Sequence, residues 1–424
     1  MISELQQLPK LDPAALTPPV EHLSRIDIFH GYIGVLLASF IVTLLVTPLI
    51  RRLAVAHNVI DHPDEVRKQH KQPIAYLGGI AVFLGIISGI LYSYLARAFP
   101  QLISWHTVKP ENLLDGDHAY VPLSILFGLT VITLVGVLDD IKGMMPRVKI
   151  GGQLMAAAAL AYEDVGVRVA AGILGPIGEL FGNPALSFSI PIPFVSGQSI
   201  TIDMIYWSGT AIIAMFVLGA CNASNLIDGL DGLLTGTTAI CGIGLLVVAL
   251  GLAAADTGFR DAQRIVLCMA LVGACLGFLP HNFNPANIFL GDAGSLQLGF
   301  LTIVIVLMLG NEGQTQLVLA GLIMFAIPII DTTLAIVRRK LAGKSMSEAD
   351  SDHLHHMLKR ALGVKGAVVA LYGIGGVFAL FGVLLSVSRA RLVYLLALIV
   401  ASYIIVTAIK LARRKQIEAE MAAK

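Results

Sequence analysis

Charge is scarce in this sequence. Asp, Glu, Lys and Arg make up 13% of the 424 residues, where ordinary globular domains carry about a quarter. With 56% hydrophobic residues and a mean hydropathy of +0.81, that deficit excludes a water-soluble globular chain and leaves an integral membrane protein. Cysteine is scarce too. Cys221, Cys241, Cys268 and Cys275 all lie in or beside apolar runs, which suggests neither a disulfide framework nor a soluble zinc site. A net charge of +1 says nothing about a polyanionic partner, and no nucleic acid is expected. No cleavable signal peptide is expected either: the first thirty residues are polar and contain proline, and the first apolar run is long enough to span a bilayer.

What the chain has instead is apolar runs. They fall near Tyr32–Ile50, Leu77–Ala96, Val121–Leu138, Gly152–Tyr162, Ile205–Ala220, Leu234–Ala255, Ile265–Leu279, Leu296–Gly310, Gln316–Ile336, Ala367–Val387 and Val393–Leu411. This pattern predicts an all-α polytopic membrane protein of about eleven transmembrane helices, the fourth and eighth of them short. Placing the N-terminus outside leaves 51–76, 139–151, 221–233, 280–295, 337–366 and the C-terminal tail inside, and these hold about two thirds of the 29 Lys and Arg residues. The expected organisation is an outer segment 1–31, a transmembrane domain 32–411 with inner loops, and a basic inner tail 412–424. Between 164 and 204, Gly, Pro and alternating residues, including Phe188-Ser-Ile-Pro-Ile-Pro-Phe194, predict a small β-hairpin on the outer face.

The chemistry gathers on the inner side. Its centre is Asn222-Ala-Ser-Asn-Leu-Ile-Asp-Gly-Leu-Asp-Gly-Leu233, where Asn222, Asn225, Asp228 and Asp231 recur every third residue after an apolar run. Carboxylates and amides without partners cost several kcal/mol each beside a membrane span. Each step of three drifts about sixty degrees from helical periodicity, so the four cannot share one face of a straight helix, and Gly229 and Gly232 are expected to break the backbone. Two carboxylates and two amides converging at a membrane boundary suit a divalent cation carrying a polyphosphate.

The other inner loops add to this set. Asp61-His-Pro-Asp-Glu-Val-Arg-Lys-Gln-His70 offers Arg67, Lys68, His70 and Lys71 as phosphate contacts or as positive-inside anchors, and Gly78-Gly79 suggests close approach of backbone or ligand. Asp139 and Asp140 end a helix at the unfavourable pole of its dipole; a metal or salt bridges to Lys142 or Arg147 would relieve them. Asp292, between Gly291 and Gly294, could cap the next helix or, with Asn282 and Asn284, serve as a ligand. His353, His355 and His356 lie in a basic surround from Arg338 to Arg360. Zinc is one reading, but the nearby carboxylates prefer hard cations, and imidazoles beside Arg and Lys also bind pyrophosphate or sugar, or move protons.

From about Asp61 to Arg360 these motifs resemble the polyprenyl-phosphate N-acetylhexosamine-1-phosphate transferases. The resemblance rests on Arg67-Lys-Gln-His70 with Gly78-Gly79, Leu138-Asp-Asp140, the 222–233 stretch, Gly291-Asp-Ala-Gly-Ser295 and His353-Leu-His-His356. His-Leu-His-His with an upstream Asp looks like the WecA-type branch, which uses UDP-N-acetylglucosamine; phospho-MurNAc-pentapeptide transferases show three consecutive histidines instead. Ser351 stands where that branch has a basic residue, and Ala75 lies where it has a proline.

The resemblance implies a multi-pass protein of the bacterial inner membrane. Its N-terminus would be periplasmic, its C-terminus cytoplasmic, and its active site would face the cytoplasm. The reaction would transfer N-acetylglucosamine-1-phosphate from UDP-GlcNAc to undecaprenyl phosphate in the lipid bilayer, releasing UMP, as a first step of O-antigen, lipopolysaccharide or other surface-polysaccharide synthesis. It further implies Mg²⁺ or Mn²⁺, with Asp292 as direct ligand, Asp139 or Asp140 close by, and Asp139 as the candidate base. Asn222, Asn225, Asp228 and Asp231 would shape the nucleotide and metal site, and Asn282 would face the uridine. His353, His355 and His356, with Arg67 and Lys68, would contact phosphate or sugar. A homodimer is left open. The competing class is an ion-coupled transporter, whose polar sites belong near the bilayer midplane on paired repeats.

Overall fold

The computed structural model describes residues 23–61, 73–96, 98–105, 120–191, 199–255, 260–341, 353–389 and most of 391–410. The chain is all-α with two small antiparallel ladders. Helix α1 (Arg25–Ala56) starts well before the expected span because Ser24 and Asp27 form a capping box, each accepting the other's backbone N–H. Its faces are arranged for lipid. Leu37, Ile41, Leu45 and Leu49 are exposed at every fourth position, while Ser39, Thr43 and Thr47 are buried. Between helices in a membrane, small and hydroxylated side chains make the contact. Ser39 Oγ accordingly donates to the Gly85 carbonyl of α2 (Gly78–Leu95) at 2.9 Å.

Helices α3 (Leu123–Lys142) and α4 (Pro146–Tyr162) follow as a hairpin. Then come α5 (Val169–Leu180), a strand pair β3 (Ser187–Pro191) and β4 (Ser199–Asp203), and α6 (Met204–Ile227). The expected hairpin is present, with Ser187 opposite Asp203. Helix α5, in the same stretch, had no distinct sequence signal. Helices α7 (Leu233–Ala254), α8 (Asp261–Asn282) and α9 (Gly291–Leu309) complete the interior. The last two are almost wholly buried and mostly apolar, as core helices are. The buried Gln297 ties three helices together: its Oε1 accepts from Thr133 of α3 at 3.2 Å, and its Nε2 donates to the Gly79 carbonyl of α2 at 2.6 Å.

Helices α10 (Thr315–Met324) and α11 (Ala326–Leu341) meet at 79°, and α12 (Leu354–Ser386) follows. Among the described residues, eight helices are long and apolar enough to cross a membrane, and the bent pair would make a ninth. Of the eleven expected spans, the fourth is α4, a helix of 17 residues, and the last is described only in patches.

One end of this bundle is built by backbone. Strand β1 (Ile60–Asp61) pairs with β2 (Ile74–Ala75), and Ala75 bridges in parallel to Ile288. Gly78 N and Gly79 N donate to the carbonyls of Phe289 and Leu290 at 3.0 and 2.8 Å. A Cβ on Gly79 would lie 2.1 Å from Gly294 N, so the glycine pair serves close packing of α2 on α9.

Candidate active site

The polar residues meet where helices end. Helix α6 stops at Ile227, α7 resumes at Leu233, and Gly232, at φ 77°, opens the second helix. The expected break is therefore real, and neither Asp228 nor Asp231 is helical. Both line a cavity of about 490 Å³ together with Asp61, Tyr76, Asn225, Asn282, Asn284, Asp292, His356 and Lys359. Each of these residues lies within a turn or so of a helix end or in a connecting segment. A transporter site also uses broken helices, but near the bilayer midplane on paired repeats.

Asp292 opens α9 and is held from two sides. Asn225 Nδ2 donates to its Oδ1 at 2.8 Å, and Lys149 Nζ lies 2.6 Å from its Oδ2. The same ammonium lies 2.7 Å from Asp139 Oδ2, while Asp139 Oδ1 accepts from Met144 N at 2.7 Å. Lys149 thus bridges two carboxylates on different helices. The salt bridge foreseen with Lys142 or Arg147 is made by Lys149 instead, because Pro146 starts α4 and sets residue 149 one turn in, facing back to the end of α3.

Asp140 does something else. Its two oxygens accept the backbone N–H groups of Asp292 at 2.8 Å and Ala293 at 3.1 Å. These are otherwise unpaired donors at the start of α9, so Asp140 caps that helix from α3, and neither Asp139 nor Asp140 lines the cavity. Asp231 Oδ2 accepts from Asn284 Nδ2 at 2.8 Å and Ala286 N at 3.1 Å. Asn282 lines the cavity while its Oδ1 accepts from Gly232 N and Thr235 Oγ1, and its Nδ2 donates to the Ile288 carbonyl. Asn222, about sixty degrees round α6 from Asn225, faces α4 instead, where its Nδ2 donates to Gln153 Oε1 at 2.9 Å.

His356 lines the cavity; His353 and His355 are buried behind it. Arg67 and Lys68 lie outside the described residues. Asp61, Tyr76 and Lys359 reach the cavity although no motif singled them out. Asp61 is placed by the β1–β2 ladder, a two-residue element too short for periodicity to reveal.

Asp228 has an unusual electrostatic position. Loss of hydration, followed by the negative charges of Asp292, Asp140 and Asp231, pushes its carboxyl up to about 8. Tyr76 is raised as well, by burial and then by Asp61. The oxygen-rich lining of carboxylates and amides fits a hard divalent cation better than a soft one. A cation beside Asp228 and Asp292 would also offset the burial and the neighbouring negative charges that raise Asp228. Asp292, Asp228 and Asn225 are the residues that could hold it.

Comparison with known proteins bears on what this site belongs to. Residues 122–310 match the model of glycosyl transferase family 4. A decaprenyl-phosphate N-acetylglucosaminephosphotransferase of Mycolicibacterium smegmatis is 30% identical over 403 residues, covering 89% of this chain and 88% of its own. The chain belongs to the polyprenyl-phosphate N-acetylhexosamine-1-phosphate transferases, glycosyl transferase family 4. Another relative in this family is a probable undecaprenyl-phosphate N-acetylglucosaminyl 1-phosphate transferase of Bacillus subtilis, 29% identical and covering 82% of this chain and 84% of its own. A phospho-N-acetylmuramoyl-pentapeptide-transferase of Bacillus cytotoxicus is 29% identical, with coverages of 83% and 95%. The matched segment 122–310 runs from α3 to α9 and includes Lys149, Asn225, Asp228, Asp231 and Asp292.

Proposed function

We propose that this chain transfers N-acetylglucosamine-1-phosphate from UDP-GlcNAc to undecaprenyl phosphate, releasing UMP, on the cytoplasmic face of a bacterial inner membrane. The observation that carries the reading is the cavity at the ends of apolar helices, in which Asp61, Asp228, Asp231 and Asp292 share walls with Lys359 and His356. A site this rich in carboxylates can accept a pyrophosphate only with added positive charge. Its place at the bundle end suits a soluble nucleotide sugar meeting a lipid phosphate.

Mg²⁺ or Mn²⁺, held by Asp292 and Asp228, would neutralise the pyrophosphate and make its phosphorus more electrophilic. An oxygen of the prenyl phosphate attacks the phosphorus that bears the sugar. The bond from that phosphorus to the bridging oxygen breaks, and its electron pair leaves with UMP. A phosphomonoester is largely ionised at neutral pH, so direct attack requires no strong base. Lys149 keeps Asp139 and Asp292 together beside the reacting phosphates, Asn225 orients Asp292, and Lys359 offers positive charge from α12.

UDP-GlcNAc is preferred because two of the three relatives above carry N-acetylglucosamine in their names and the histidine motif reads His-Leu-His-His. The test is purified protein in detergent with undecaprenyl phosphate and a panel of UDP-sugars, with and without Mg²⁺, following UMP and lipid product. UDP-GlcNAc-dependent UMP release, lost in Asp292→Ala, supports the reading. Turnover with UDP-MurNAc-pentapeptide alone would reassign the donor, and no turnover with any nucleotide sugar would overturn the reaction.

A further inference from the structure

We propose that Asp331 is a positioning residue that fixes the histidine cluster and, through it, the break between α6 and α7; the catalytic part of this inference rests on the function proposed above. Asp331 belongs to no sequence motif. It is a fully buried carboxylate inside α11, one arm of the bent span. A carboxylate among apolar helices persists only where it is matched by donors.

Among the described residues, its donors come from the start of α12. Leu354 N donates to Asp331 Oδ1 at 2.6 Å, and His353 Nδ1 lies 2.8 Å from Oδ2. His353 provides no side-chain cap for α12, so Asp331 caps that helix from α11. His355 Nδ1 is 3.6 Å from the same Oδ2 and is a buried atom with no hydrogen-bond partner. A bare nitrogen lone pair pointed at a carboxylate would be repelled. The arrangement therefore favours a proton on Nδ1 of both rings, leaving Nε2 of each as the opposite, distal nitrogen.

The distal side of His355 meets the break. A Cβ on Gly229 would lie 2.4 Å from His355 Nε2, so the ring is wedged against the backbone between Asp228 and Asp231. The His356 ring, with its centroid 4.3 Å from that of His355, lines the cavity. Asp331 thus sets the ring that supports the two carboxylates and the histidine that faces the donor. The rival explanation is a metal ion, since the ligating atoms of Asp331, His353 and His355 all lie within 4.8 Å of one another.

The test uses the full chain in detergent, with Asp331→Asn, Asp331→Glu, His353→Gln and the Asp331→Asn/His353→Gln double variant, each confirmed folded by its thermal transition. In Asp331→Asn, kcat/KM for the nucleotide sugar should fall about ten- to a hundredfold, the range seen when an outer partner of a functional histidine is removed. KM for prenyl phosphate should stay unchanged, and Asp331→Glu should restore part of the loss. The double variant should be little worse than Asp331→Asn, because residues acting through one contact are not additive. Wild-type kinetics in Asp331→Asn, additive losses, or an equal rise in KM for both substrates would overturn the proposal. So would a stoichiometric transition metal in wild-type protein that Asp331→Asn lacks.

If Asp331→Asn does not fold, His353→Gln and His355→Gln carry the same kinetic test from the other side. Nitrogen NMR of histidine-labelled protein decides the geometry without turnover. Nδ1-protonated imidazoles in wild type, assigned to His353 and His355 by their disappearance from His353→Gln and His355→Gln, and lost in Asp331→Asn, support the positioning, and their absence from wild type refutes it. A wild-type protein that binds and turns over no nucleotide sugar would sink the functional reading while leaving this NMR outcome to decide the role of Asp331.

Discussion

Lys149 Nζ lies 2.7 Å from Asp139 and 2.6 Å from Asp292, joining the end of α3 to the start of α9 through one ammonium. Removing that charge leaves two carboxylates of like sign facing each other beside a site for polyphosphate. Lys149→Met should lower kcat by about a hundredfold, the scale for loss of one preorganised electrostatic group, while Lys149→Arg retains more. Steady-state UMP release in the two variants checks this, with parity between them counting against a charge-based role.

Asp140 acts on stability first. It accepts two backbone N–H groups at the start of α9, so Asp140→Ala removes a helix cap. The loss should be about 1–2 kcal/mol, visible as a lowered thermal transition in detergent. Asp140→Asn, which keeps one acceptor oxygen, should lose less. Equal transitions for wild type and Asp140→Ala would show that water or another group replaces the cap.

Asp228 gives a pH dependence with a definite sign. Its folded carboxyl titrates at about 8, against an ordinary value of 3.8. Between those values the folded chain holds a proton that the unfolded chain has released, so stability falls as pH rises through this window. Thermal unfolding without divalent cation should therefore show a decline toward about pH 8 that Asp228→Asn flattens. Adding Mg²⁺ to wild-type protein near neutral pH should release protons, measurable in a weakly buffered solution, and Asp228→Asn should release fewer.

Gly79 sits where α2 meets α9. A methyl group there would fall 2.1 Å from Gly294 N, a contact with backbone that cannot swing aside. Gly79→Ala should destabilise by about 1–3 kcal/mol, as overpacking does. Because the displaced segment carries Asp292, activity should fall further than stability alone would account for. An Ala variant with wild-type melting and turnover would mean the two helices can separate freely.

Much of this was legible along the chain. The shortage of charge and the spacing of apolar runs are properties of composition and local periodicity, and they gave an all-α membrane protein. The three-residue recurrence through Asn222, Asn225, Asp228 and Asp231 could not fit one helical face, and the backbone does break between Ile227 and Leu233. The Gly78-Gly79 pair signalled close approach, and the alternation near Phe188 signalled the hairpin.

Which polar group faces the cavity is a different kind of fact. Asp139 and Asp140 are adjacent, yet one is bound to Lys149 and the other caps a helix 152 residues away. Asn222 and Asn225 share a motif, yet only Asn225 reaches Asp292. Asp331 lies within the apolar run Gln316–Ile336, outside every motif, and holds the first residues of α12. The sequence by itself determined the elements and the stock of charged groups, because helix formation and membrane insertion depend on neighbours in the chain. Only the tertiary structure decided their roles. Those depend on the rotation of each helix and on contacts such as Lys149 to Asp292, 143 residues apart, which local periodicity does not encode.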